Sequence, residues 1–181
     1  GRQNKPQEIN PTGVQFKHKI IDIETKKKFD ADPKYFVTNP IPWDLGKSES
    51  TPVMDRIFAE WVGEDYVQTL YEIIAFSLVP SYPIHRLFCL IGSGMNGKSK
   101  YLELISKFVG TSNITTTELD NLLESRFELG RLHKKLVCLV GETNFSEMKK
   151  TSILKKLTGG DLIGFEYKGK DPFEDYNYAK I

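Results

Sequence analysis

The sequence is poor in the residues that define several protein classes. It has two cysteines, Cys89 and Cys138, in 181 residues, too few for a disulfide framework or a zinc site on their own. Each stands inside an apolar run, where a small buried core residue is expected. A reducing, intracellular setting fits. Charge of one sign is lacking too. Lys and Arg number 25 and Asp and Glu 24, for a net charge of +1, so any case for nucleic acid must rest on local patches. No apolar run approaches the roughly 18 residues of a membrane-spanning helix. No N-terminal apolar segment resembles a signal peptide, so the chain is expected to be neither membrane-spanning nor secreted. Internal repeats and low-complexity tracts are absent. The 39% hydrophobic share is too high for a disordered chain and is enough for one α/β domain with its own core.

The chain divides into three expected segments. Residues 1–50 hold a loose polar start and then Val14, Phe16, Ile20, Ile21 and Ile23 alternating with polar residues, a short β-hairpin with Lys26, Lys27 and Lys28 at its solvated end. Residues 38–52 carry three prolines and are expected as a linker, because proline withholds a backbone donor. Residues 51–83 form a helical region. One helix starts at the Thr51 cap with Pro52 in its first position, buries Val53, Ile57 and Trp61, and stops at Gly63. A second, from about residue 65 to 78, turns Val67, Leu70, Tyr71, Ile74 and Leu78 to one side.

Residues 84–181 have α/β texture. Buried strands are expected at 86–91 and 136–140. Helices are expected at 97–109, with Leu102, Ile105 and Val109 inward and Gly110 as its stop, at 118–125, and at 146–157 behind Ser146. A hairpin is expected over 162–172.

Between the first of these strands and its helix lies Gly92-Ser93-Gly94-Met95-Asn96-Gly97-Lys98-Ser99, which fits G-x-x-x-x-G-K-[ST] at every fixed position. A loop wrapped around a phosphate chain must point its N–H groups inward, which needs glycine wherever a Cβ would block the turn. The following helix adds the positive end of its dipole. Lys98 would reach the β- and γ-phosphates of ATP, and the Ser99 hydroxyl would ligate Mg²⁺. Residues 92–99 together with Lys100 are the candidate ATP-binding residues. A chance match in a chain this long occurs at roughly the per cent level, and the flanking apolar strand and amphipathic helix lower that further.

A phosphate-loop ATPase also needs a carboxylate at the end of a neighbouring strand. The 136–140 run ends in Gly141-Glu142-Thr143-Asn144. Glu142 is the one acid there, and position 141, where many such enzymes carry aspartate, is glycine. Glu142 would serve both the metal shell and water activation, or else be a solvated residue after a strand. Asn144 would orient water or form a turn.

Residues 145–170 hold six lysines (149, 150, 155, 156, 168 and 170) against three acids. In the hairpin, Phe165 and Tyr167 alternate with Gly164, Glu166 and Lys168, with Lys170 at the tip. Lysine binds phosphate and an aromatic ring stacks on an unstacked base. The four residues Phe165, Tyr167, Lys168 and Lys170 are therefore candidates for single-stranded DNA. The alternative is an ordinary exposed hairpin.

Together these residues resemble the superfamily 3 helicases, in particular the primase-helicases of phages, plasmids and large DNA viruses of the poxvirus and satellite-phage type. The resemblance lies in residues 92–99 with their Asn-Gly-Lys-Ser core, the Arg126-Phe127…Leu132 segment, Glu142 and Leu154-Lys155-Lys156-Leu157-Thr158-Gly159-Gly160-Asp161. Upstream, residues 20–25 and 36–42 look like the accessory region before such a helicase core. The resemblance implies a P-loop NTPase, AAA+-like fold and a homohexameric ring around single-stranded DNA. It further implies ATP and Mg²⁺ between subunits, a lysine hairpin facing the channel, and residence in the host cytoplasm or at a virus replication site. It assigns the phosphate role to Lys98, the metal role to Ser99 and Glu142, and water activation to Glu142.

The family's polar sensor residue and arginine finger have no counterpart, because residues 177–181 look like the start of the sensor strand. A C-terminally truncated piece of a longer primase-helicase is expected, with little turnover of its own, since an arginine finger contributes about 10³-fold or more. A non-catalytic, nucleotide-switched assembly or DNA-loading module is the alternative. A small-molecule kinase would want an arginine-rich lid, and Arg126 and Arg131 are too few.

Overall fold

The computed structural model describes residues 7–8, 13–143 and 151–181. It is a mixed α/β structure with small sheets. The N-terminal part is a three-stranded antiparallel meander of β2 (Gly13–Gln15), β3 (Lys19–Asp22) and β4 (Lys28–Asp30). Val14 and, paired opposite it, Ile21 pack into the core from one face, while Ile20, paired with Gln15, is buried on the other. The expected hairpin is present, and Lys28 opens its third strand. Beside the meander, β1 (Gln7–Glu8) pairs in parallel with β5 (Tyr35–Phe36).

Residues 38–51 lack regular structure but are no slack tether. Ile41 is fully buried. Asn39 donates to Asn113 Oδ1 at 3.0 Å and to the Lys134 carbonyl at 2.8 Å, and it accepts from the Tyr178 hydroxyl at 2.7 Å. The prolines exclude a strand or helix here, and side-chain amides replace the missing backbone ladder.

Helix α1 (Pro52–Val62) has Pro52 in its first turn and ends at Gly63, whose φ is +83°. The inward face differs from expectation. Val53 is 61% exposed, whereas Phe58 is fully buried. The apolar stripe runs Met54, Ile57, Phe58, Trp61, the i, i+3, i+4, i+7 pattern, and Val53 falls outside it. Thr51 makes no side-chain cap. Its hydroxyl donates to Asp55 at 3.0 Å and lies 2.9 Å from the Tyr71 hydroxyl of α2 (Val67–Ser77). A single 3₁₀ turn, Glu64–Tyr66, joins the two helices.

Helix α3 (Lys98–Val109) buries Tyr101, Ile105 and Val109 and stops at Gly110. It leads through Thr111–Asn113 to β6 (Ile114–Thr117), which pairs in parallel with β7 (Val137–Val140). Two short helices, α4 (Leu119–Glu124) and α5 (Arg126–Gly130), connect them. On the other flank of β7, Lys180 exchanges backbone bonds with Leu136 and Cys138 at 2.9 and 2.8 Å, and Ile181 accepts from Phe88 at 2.9 Å. The apolar run at β7 is continuous because both faces are covered. Val137 and Leu139 pack into a core with α1, α2 and α3, and Cys138 and Val140 into a second core under α4, α6 (Ser152–Gly159) and β8 (Leu162–Phe165).

The strand expected at 86–91 does not form a ladder. Its link to the sheet is the Phe88–Ile181 bond, and Cys89 and Ile91 are exposed, Ile91 at 89%. An apolar run becomes a buried strand only where a partner pairs it, and Cys89 is therefore not the core residue expected. Helix α6 (Ser152–Gly159) begins later than the expected 146. Ser146, Asn144, Lys149 and Lys150 lie outside the described residues. The expected C-terminal hairpin is formed by β8 (Leu162–Phe165) and β9 (Phe173–Tyr176).

Candidate functional site

The glycine-rich loop connects residue 91 to the first turn of α3. Its backbone passes through positive φ at Gly94 (+101°), Met95 (+47°) and Gly97 (+85°). Only glycine enters this region without steric cost, so two of the three positions match their residue type, and Met95 projects fully into solvent. A side-chain carbon added at Gly92 would fall 1.8 Å from the Asn96 amide nitrogen. The Asn96 side chain thus lies across the loop, close over Gly92. Lys98 Nζ donates to the Gly92 carbonyl at 2.9 Å and to Asn96 Oδ1 at 2.8 Å. The loop, its lysine and its asparagine therefore form one hydrogen-bonded unit at the start of a twelve-residue helix. The N–H groups of that first turn have no side-chain cap and no acid beside them, which leaves them able to hold an anion.

Gly97 carries a second constraint. A Cβ there would meet the Trp61 ring at 2.4 Å. Trp61 stands in a cluster with Phe58 and Tyr101, at centroid separations of 5.8 and 6.4 Å. The accessory helix α1 thus presses on the last glycine of the loop. From its helical spacing alone Trp61 is expected to be a core residue, and its contact with the loop is added by the packing of α1 on α3.

Ser99 is exposed on the first turn of α3. Lys100 is exposed as well, and its ammonium pairs with Glu103 at 3.0 Å. Glu142 is exposed just beyond β7 and makes no ion pair with Lys98, whose ammonium stays on its own loop. Beside the loop helix opens a cleft of about 450 Å³, lined among others by Leu102, Thr117, Glu118, Glu128, Arg131 and Gly141. Leu102 follows Lys98 by four residues and Ser99 by three, so these share a helix face. The cleft therefore joins the face below the loop to the ends of β6 and β7.

The basic hairpin is only partly as expected. Lys168 and Lys170 are exposed, with Gly169 at φ +77° in the turn. Phe165 is not available to a base. It is fully buried, packed on His133 and Phe173 at centroid distances of 5.0 and 5.8 Å. In a two-stranded hairpin alternate residues face the body, and Phe165 takes the inward place. Tyr167 is 37% exposed. Its hydroxyl lies 2.8 Å from His133 Nδ1, and Lys170 Nζ stands 5.9 Å over its ring. The other nitrogen of His133 lies 2.8 Å from Asp175, and this hydrogen bond holds the Asp175 carboxyl below its usual range. The His133 clasp spans 34 and 42 positions of sequence, a separation at which no local pattern could reveal it.

Residues 90–181, which carry the loop, the cleft and the hairpin, match the model of a family of unknown function, DUF5906. The chain belongs to this family. No curated protein matches it. In this DUF5906 chain no described helix is long and apolar enough to cross a membrane. Among the described residues no three His, Cys, Asp or Glu side chains gather into a metal-binding group.

Proposed function

We propose that the chain is a P-loop, AAA+-like ATPase core of a replicative superfamily 3 helicase. In this reading it couples ATP hydrolysis to movement along single-stranded DNA as part of a hexameric ring. The observation that carries this reading is the glycine loop itself. Backbone turns at Gly94, Met95 and Gly97 stand at an uncapped helix N-terminus, with Lys98 centred on the loop. This is a cradle for a polyphosphate.

The donor set fits Mg²⁺, a hard cation that keeps several waters and needs only one or two protein oxygens besides phosphate. Ser99 and Glu142 offer a hydroxyl and a carboxylate, both exposed. When bound, the metal would neutralise charge building on the phosphates. The chain's own residues do the rest. Lys98 exchanges its bonds to Gly92 and Asn96 for phosphate oxygens. The N–H groups of α3 orient the chain of phosphates. Glu142 accepts a proton from the attacking water. Lys168 and Lys170 hold the DNA backbone, and the exposed part of Tyr167 lies against a base or sugar.

Lys98→Ala should weaken ATP binding by about 10–100-fold, the value of one or two charge-assisted hydrogen bonds. Glu142→Gln should leave binding intact and lower turnover by about 10²-fold or more. Equilibrium binding of a fluorescent ATP analogue and steady-state phosphate release measure the two. Normal hydrolysis by the Gln variant would remove Glu142 from the mechanism. The glycine at position 141 favours a second reading, a nucleotide-switched assembly or DNA-loading module. Absence of turnover, with ATP binding retained, would select it.

A further inference from the structure

The contact between α1 and the glycine loop is made by ring atoms, not by a mobile chain end. The three atoms nearest the missing side chain of Gly97 are Cε2, Nε1 and Cδ2 of Trp61, at 2.4, 2.5 and 2.6 Å. All belong to the five-membered ring, and their near-equal distances set its flat face against the glycine. The ring is itself held in place. Phe58, fully buried, lies 5.8 Å from it, and Tyr101 of α3 lies 6.4 Å from it. Tyr101 donates its hydroxyl to the Leu70 carbonyl of α2 at 2.7 Å and its N–H to the Gly97 carbonyl at 2.8 Å. Helices α1, α2 and α3 therefore meet at one aromatic cluster, and the last glycine of the loop lies against it.

Gly97 is the residue on which the loop turns into the helix. Its φ is +85° and it stands at the N-terminal cap position of α3. The next residue, Lys98, holds the Gly92 carbonyl and Asn96. Unsupported glycine enters φ above and below zero about equally, so a loop of this composition would give up backbone freedom on closing around a phosphate chain. A ring seated over the α-carbon removes alternatives in advance. Gly94, also at positive φ in the loop, has nothing within 4 Å of its missing side chain. The support is therefore specific to the position beside Lys98 and the first N–H groups of α3.

We propose that Trp61 is a positioning residue of the nucleotide site: it holds Gly97 in its left-handed conformation, so that the N–H groups of the first turn of α3 are set for a triphosphate before one arrives. This rests on the ATPase reading above and adds a coupling to it. If the docking of α1 raises nucleotide affinity, nucleotide must by the same factor tighten the docking of α1.

The test uses the whole chain and a fluorescent ATP analogue with Mg²⁺. Failure of the wild type to bind it would sink the ATPase reading itself. With that binding present, Trp61→Leu should weaken it about 5–30-fold, the worth of one residue's backbone freedom. Trp61→Phe, which keeps a flat ring, should recover part of the loss. Met54→Ala is the control: it thins the same helix face and the same core, whereas the atoms nearest Gly97 all belong to Trp61. It should lower the melting temperature while holding affinity within about twofold. Amide exchange across α1, residues 52–62, should slow when nucleotide is added to the wild type and slow less in Trp61→Leu. The chain has two tryptophans, so Trp43→Phe leaves Trp61 as the one indole, and its emission should change on titration with unlabelled ATP. This arm stands even where Trp61→Leu fails to fold. Unchanged affinity in folded Trp61→Leu, a loss in Met54→Ala as large as in Trp61→Leu, or a Trp61 emission indifferent to bound ATP would overturn the proposal while leaving nucleotide binding standing.

Discussion

Lys180 is the one Lys, Arg, Asp or Glu side chain fully buried among the described residues. Its ammonium reaches the Val79 carbonyl and lies 5.2 and 5.8 Å over the rings of Phe76 and Tyr82. Burial pulls its pKa from 10.5 down to about 7. Between these two values the unfolded chain binds more protons than the folded one, so stability rises with pH across that window and is lowest below pH 7. The phenol of Tyr82, pushed up to about 12 by burial, titrates above the window. The melting temperature should therefore climb between pH 7 and 9. Lys180→Met should flatten that climb and stabilise the protein at pH 7 by about 1–3 kcal/mol, part of the charging cost being offset by the lost bond to Val79. Gly97 tests a different physics. Gly97→Ala places a Cβ against the Trp61 ring at a left-handed φ, and should cost about 2 kcal/mol or more in urea unfolding. Adding Trp61→Ala should recover part of that loss.

At the scale of elements, the β8–β9 hairpin is fastened to the body by His133. His133→Ala removes the bonds to Tyr167 and Asp175 together, and should raise amide exchange across residues 162–176 while leaving α3 protected. The Asp175 contribution is present above the ordinary carboxylate pKa of 3.8 and is lost as pH falls through its lowered folded value. Exchange in the hairpin should therefore rise in acid. Replacing both Lys168 and Lys170 by Ala should lower the salt dependence of single-strand binding by about 0.7 per lysine. Elements with their own punctuation were legible from sequence. Pro52 and Gly63 bounded α1, Gly97 and Gly110 bounded α3, and the turn around Gly169 set the last hairpin. What was hidden depended on partners distant in sequence. Phe165 turned inward because His133 and Phe173 receive it. Residues 86–91 stayed unladdered because, among the described residues, the Phe88–Ile181 bond is their one backbone link to the sheet. The phase of α1 was set by Tyr71 and Tyr101 stacking on Phe58, at 4.9 and 5.8 Å. Of the candidate site, the loop could be read from spacing alone, whereas the cleft at the ends of β6 and β7 became visible only when those strands paired.

At the scale of the molecule, β7 is the common wall of two cores. Neither core is complete without it, so the two should unfold together. Phe58→Ala in one core and Leu157→Ala in the other should each cost about 2–5 kcal/mol. Both tryptophans stand on the first side, Trp61 in its aromatic cluster and Trp43 bound to the Lys107 carbonyl at 2.9 Å. Leu157→Ala should nonetheless shift the tryptophan fluorescence transition as far as the circular dichroism transition. Separate midpoints for the two signals would mean that the cores melt independently.

The exposed position of Cys89 has a practical consequence. The chain has one other thiol, Cys138, which is sealed in the second core with its pKa pushed up to about 12. A maleimide dye should therefore attach at a single place, three residues before the glycine loop begins. Such a label would test the proposed capture of nucleotide by a fluorescence change, without any engineered cysteine.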